Sequence, residues 1–145
     1  QSIYVYKLTM GEHSQVGLAA TFSVEDYNND VIKKHEKTRK VKEDDRTNHI
    51  VTTEAQTGPV FLTYKAVPEI DKVVSDTMKK TTPIYDFTAA DGIKHTLWIL
   101  PAEQNDVVVN GIAKVKNLYI ADGHHRAASA SRTQKVKMDQ NSAHN

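Results

Sequence analysis

The sequence predicts an α+β protein, a mixed sheet flanked by helices. Three observations carry this. Two pairs of β-rich runs are joined by turn signals: Ile3–Tyr6 with Val16–Phe22 across Gly11–Ser14, and Pro83–Phe87 with Ile93–Leu100 across Asp91-Gly92. Val60–Tyr64 and Leu118–Ala121 are continuous apolar runs of strand length. Ile70, Val73, Val74 and Thr77 or Met78 recur at helical spacing. Hairpins interleaved with helices argue against a doubly wound parallel sheet.

The elements follow in order. Ser23 has the side chain to cap a short helix, with Glu25 and Asp26 in its first turn and Asn28-Asn29-Asp30 ending it. Thr38 is placed to cap a polar helix running to about Glu54, whose apolar residues are only Val41, Ile50 and Val51. Such a helix is mostly solvated or lines a polar cleft. Gly58-Pro59 ends that region. Val60–Leu62 and Tyr119–Ala121 are both expected as inner strands of one sheet, with Phe61 and Ile120 buried. Pro68 opens the next helix as a first-turn proline. Trp98 and Leu100, two apart on one strand face, belong to the core. Glu103–Val115 is read as a helix with Val108, Ile112 and Val115 inward, although Gly111 weakens it. A last helix runs from His124 to about Met138, and Gln140–Asn145 is a polar, fraying tail.

Length and composition limit the function classes. The 145 residues suffice for a single α+β domain with a real core. A formal net charge of +1 offers no global attraction for nucleic acid, so no nucleic-acid partner is expected. The absence of cysteine removes disulfides, thiol catalysis and Cys-ligated zinc. No run approaches membrane-spanning length, so no membrane partner is expected and the setting is taken as cytoplasmic. Gln1 is not an initiator Met, and the strand begins almost at once. The chain therefore reads as an N-terminal excerpt of a longer protein. The sequence does not set the oligomeric state.

The most informative stretch is Asp122-Gly123-His124-His125-Arg126, between the apolar run ending at Ala121 and the alanine-rich segment from Ala127. It reads as strand, tight turn, helix, with Gly123 supplying the turn. Free N–H groups and the helix dipole make a helix start a natural anion site. Two imidazoles and a guanidinium there are unfavourable for the helix alone and suit an anionic partner. This is no Walker loop, having one glycine and no Gly-Lys-Ser/Thr. The plainer alternative makes Asp122 a simple N-cap, with His124, His125 and Arg126 facing solvent. Ser129 and Ser131 are read as neutral helix spacers.

A second candidate is His35-Glu36, with Arg39, Asp45 and Arg46 downstream. A glutamate beside a phosphate site can take the proton of an attacking hydroxyl. The competing reading is a solvated charge run from Lys33 to Arg46, with Glu43–Arg46 and Lys42–Asp45 as helix-surface pairs. The histidines form no metal motif by spacing: neither HxH nor HExxH occurs. Asp122 or Glu36 with phosphate oxygens could still hold a divalent ion such as magnesium.

Three stretches together carry a resemblance: Ile32–Thr38 with Glu43–Arg46, then Gly58–Leu62, then Tyr119–Arg126. In that order they resemble a large bacterial and archaeal family catalogued as a domain of unknown function, numbered 1015. The His-Glu pair and the Asp-Gly-His-His-Arg turn are also similar to ParB/sulfiredoxin-like proteins that include free-serine kinases. That second likeness implies a ParB/sulfiredoxin-like fold around the turn. It implies Glu36 as catalytic base with His35 beside it, and Asp122, Gly123, His124, His125 and Arg126 as the phosphate or nucleotide site. Arg39, Asp45 and Arg46 are possible additions. The expected cofactor is ATP or ADP with Mg. The expected function is phosphoryl transfer between a nucleotide and a small hydroxylated metabolite, serine first. The alternatives are phosphoserine hydrolysis at the same site and a non-catalytic nucleotide- or phosphate-binding regulatory module.

Overall fold

A computed structural model describes residues 2–141. The chain divides into two compact units. The first uses the chain up to Thr21 together with Lys65–Val115, and the second uses Phe22–Tyr64 together with the chain from Lys116 onward.

In the first unit, β1 (Tyr4–Met10) and β2 (His13–Ala19) form a hairpin. Gly11 enables its turn with φ of 58°. The second hairpin, β5 (Tyr85–Thr88) and β6 (Lys94–Ile99), turns at Gly92 with φ of 81°. All pairings are antiparallel, in the order β2-β1-β6-β5. Val5 lies opposite Trp98, and both are buried with Leu100, Val73 and Val108 in one core. Val73 belongs to α3 (Pro68–Lys80), which starts on its first-turn proline, and Val108 to α4 (Asn105–Ala113). The expected helix from Glu103 is in fact a 3₁₀ turn (Ala102–Gln104) leading into α4. Gly111 is no flaw in α4: a Cβ there would meet Ile70 side-chain carbons at 2.9 Å, so the missing side chain lets α3 and α4 approach.

The second unit holds a three-stranded mixed sheet in the order β3 (Ile32–Lys33), β7 (Leu118–Asp122), β4 (Phe61–Thr63). Sequence reading expected one sheet, whereas the strands form two, one in each unit. β7 (Leu118–Asp122) is central, as expected, and Ile120 is buried. β4 (Phe61–Thr63) pairs with it antiparallel but at the edge, and Phe61 is 45% exposed. The inner-strand expectation for Val60–Leu62 is therefore wrong. An apolar run can lie on an edge when it is three residues long and bulged, as β4 is between Phe61 and Leu62. β3 (Ile32–Lys33), which the pattern did not reveal, runs parallel to β7.

Three helices complete this unit. α1 (Val24–Asn28) is capped by the Ser23 hydroxyl, which accepts from the Glu25 amide at 3.1 Å. α2 (Lys40–Thr53) starts after Arg39, not Thr38, and has no side-chain cap. α5 (His124–Gln140) follows the N-cap Gly123, outlasting the expected end at Met138. The polar tail expected from Gln140 falls outside the described residues from 142 onward. Ser129 and Ser131 are not neutral spacers. Ser129 is fully buried and donates to the His125 carbonyl at 2.7 Å, and Ser131 bonds Asn28 at 2.7 Å. Their small size lets α5 approach α2 and α1, where larger side chains would overpack.

Candidate functional site at the start of the last helix

The site follows from the parallel pairing of β3 and β7. Ile32 lies opposite Leu118, and Lys33 opposite Tyr119. Both strands therefore end at the same edge of the sheet, where ligands of α/β sheets collect. Three residues beyond Lys33 stands Glu36, and three beyond Tyr119 stands Asp122. The chain after β3 and the turn after β7 thus meet, although they are far apart in sequence.

The turn is held by Gly123, whose φ of 100° is one that a side chain resists. Arg126 folds back over it: a Cβ on Gly123 would lie 2.8 Å from Arg126 Nη2. A Cβ on Gly58 would similarly lie 2.9 Å from Arg126 Cδ. Gly58, which sequence reading used as a helix stop and in the Gly58–Leu62 stretch, thus packs against Arg126. Arg126 pairs with Asp122 at 2.5 Å, one helical turn away. Asp122 is the last residue of β7 and not an N-cap, so the plainer reading of it fails. No side chain caps α5, which leaves its first-turn amides without a side-chain acceptor.

The two imidazoles do not face solvent freely. His124 is buried, and its Nε2 accepts the His35 amide at 3.4 Å. His125 Nε2 accepts the Arg39 amide at 3.1 Å. Adjacent histidines therefore clasp the segment between β3 and α2 by its backbone. An accepting Nε2 places the proton of a neutral ring on Nδ1. His124 Nδ1 then points at Glu36, 3.5 Å from Oε2. His35 Nε2 approaches the other carboxylate oxygen at 4.0 Å, and its ring meets His124 edge to face. Glu36 is 61% exposed, so its carboxylate reaches the cleft while one edge is held.

An open cleft of about 320 Å³ is lined by Glu36, Lys42, Asp45 and Arg46 on one side and by Asp122–Arg126 on the other. Of the predicted residues, all but His35 and Arg39 line it. Arg39 contributes its amide to His125, and its side chain is exposed. Lys42 is the cleft residue that sequence reading placed only in a surface pair. Its signal was its spacing, one helical turn before Arg46. Among the described residues, neither Glu43–Arg46 nor Lys42–Asp45, the surface pairs of the competing reading, forms an ion pair. Instead Arg132 of α5 bonds Glu43 and Asp44, fastening α2 to α5. That contact holds the Asp44 carboxyl below the usual carboxylate range, chiefly through the Arg132 hydrogen bond and then that of Lys40. Three cations (Lys42, Arg46, Arg126) thus face three carboxylates (Glu36, Asp45, Asp122). The cleft therefore carries both signs of charge.

The fold and cleft define a two-unit α+β protein with a polar, charge-balanced site where two parallel strands meet a helix start. Residues 1–145, the whole chain, match the family described as a protein of unknown function (DUF1015), and the chain belongs to that family. No curated protein and no solved structure matches it. Among the described residues, no helix is long and apolar enough to cross a membrane.

Proposed function

We propose that this cleft transfers a phosphoryl group between a nucleotide and a small hydroxylated metabolite, with serine as the first candidate. The observation that carries the reading is the placement of the Glu36 carboxylate in one cleft with the uncapped first turn of α5. Backbone amides of that turn and Arg126 would hold phosphate oxygens. Glu36, aligned by His124 and with His35 beside it, would accept the proton of the attacking hydroxyl. In the forward direction the terminal phosphoanhydride bond of the nucleotide breaks and a bond from phosphorus to the hydroxyl oxygen forms. The proton passes to Glu36, and the shortened nucleotide leaves. Such chemistry asks mainly for positioning and charge neutralisation.

The charge balance supports an amino-acid substrate. A zwitterion carries an ammonium that Asp45 or Asp122 can receive, while Lys42 and Arg46 suit its carboxylate. Asp122 and Asp45 also fit magnesium, which prefers one or two carboxylates together with phosphate oxygens. Magnesium would supply charge neutralisation on those oxygens. The ParB/sulfiredoxin-like resemblance of the His-Glu pair and the Asp-Gly-His-His-Arg turn points the same way for fold and chemistry.

The test is turnover of ATP or ADP with magnesium, with and without serine, alongside phosphate release from phosphoserine. Serine-dependent nucleotide turnover that Glu36→Gln abolishes, with nucleotide binding retained, is the expected outcome. Phosphate release from phosphoserine alone would make the protein a hydrolase. Binding without turnover would make it a regulatory module.

A further inference from the structure

We propose that His35, Glu36 and His124 form a binding site for a divalent transition-metal ion. Among the described residues these three offer ligand atoms that all lie within 4.8 Å of one another. In a tetrahedral site with bonds of about 2.1 Å, ligand atoms stand about 3.4 Å apart. His124 Nδ1 and Glu36 Oε2 are already 3.5 Å apart, and His35 Nε2 is 4.0 Å from Glu36 Oε1. The His35 side chain is 62% exposed, so it has room to swing inward. Two imidazoles and one carboxylate suit zinc, cobalt, manganese or iron rather than magnesium, which prefers oxygen. One ligand is buried and therefore fixed, while two are exposed, so the ion has an entry path and keeps positions open on the cleft side.

Binding has a local cost that makes it visible. With Nδ1 on the ion, a His124 proton sits on Nε2, and the 3.4 Å bond from the His35 amide is given up. A ligating Glu36 is a weaker base. The metal-loaded and metal-free chains therefore differ in what activates a hydroxyl, since a metal-bound hydroxyl ionises more readily. This proposal does not rest on phosphoryl transfer, and its readout is the ion itself.

The experiment titrates cobalt(II), then zinc(II), into chelator-treated full chain while following cobalt absorption and the ¹⁵N shift of His124 Nδ1. One ion per chain is expected, with cobalt displaced by zinc and the Nδ1 shift moving on loading. His35→Ala and Glu36→Gln should each weaken binding about tenfold or more. Both positions are exposed, so circular dichroism should show the fold intact. Glu12→Gln, an exposed carboxylate in the turn between β1 and β2, should leave the affinity unchanged. Failure of the folded chain to bind either ion, or binding that these two variants leave unaltered, would overturn the site. So would equal weakening by Glu12→Gln, which would indicate general attraction of cations to the protein.

Discussion

The Glu36 carboxylate lies 3.5 Å from the Nδ1 of buried His124, whose other nitrogen accepts the His35 amide. The backbone next to Glu36 thus sets the tautomer of the ring that aligns Glu36. Under the phosphoryl-transfer reading His124 is a positioning residue. His124→Gln should lower kcat while changing nucleotide affinity less than threefold, as steady-state kinetics with direct binding would read. A matching loss in affinity would instead place His124 on the phosphate.

Arg126→Ala should weaken binding of ADP or pyrophosphate. A charge-assisted hydrogen bond contributes about 1.5–3 kcal/mol, or roughly 10–150-fold in Kd. Arg126→Lys should recover only part, because an ammonium lacks the planar fork. Calorimetric titration checks both, and unchanged affinity in the alanine variant removes Arg126 from the anion site.

Asp122 competes with any anion for Arg126, since the two side chains pair at 2.5 Å. Asp122→Asn should therefore tighten binding of pyrophosphate in the absence of magnesium and reduce the gain that magnesium brings. Affinities measured with and without magnesium separate the two effects. A variant with weaker metal-free binding would show that Asp122 holds the ligand instead.

Gly123→Ala should destabilise the protein by about 1–3 kcal/mol, from the unfavourable φ alone. The added Cβ also displaces Arg126, so anion binding should fall with stability. Thermal unfolding and phosphate titration of the same variant check this. A stable variant with intact binding would contradict the turn geometry.

The contact between α2 and α5 carries a pH dependence. The Asp44 carboxyl is depressed, chiefly by its hydrogen bond to Arg132. A depressed carboxylate stabilises the fold above its unfolded pKa, and that contribution is lost as pH falls through the folded value. Asp44→Asn should therefore lower Tm at pH 7, with the difference from the unaltered chain shrinking below about pH 4. A difference that stays constant down to pH 3 would show that the pair is not the source.

Much of this molecule was legible in one dimension. Hairpins turning at Gly11 and Gly92, the Ser23 cap, the Pro68 helix start and the strand-turn-helix at Asp122–Arg126 all follow from local preferences. These act over a few residues, which is the range that sequence pattern reports. The tertiary structure alone decided the rest. Edge or centre was invisible for Phe61, because a short apolar run looks alike in either place. β3 was invisible because two residues make no period, yet its parallel pairing with β7 brings Glu36 level with Asp122. The partners of Arg132 and the buried roles of Ser129 and Ser131 depend on which helices pack, and no spacing encodes that. His124 illustrates the division best. Its sequence neighbours place an imidazole at a helix start, while its neighbours in space bury it and aim one nitrogen at a carboxylate from another segment of the chain.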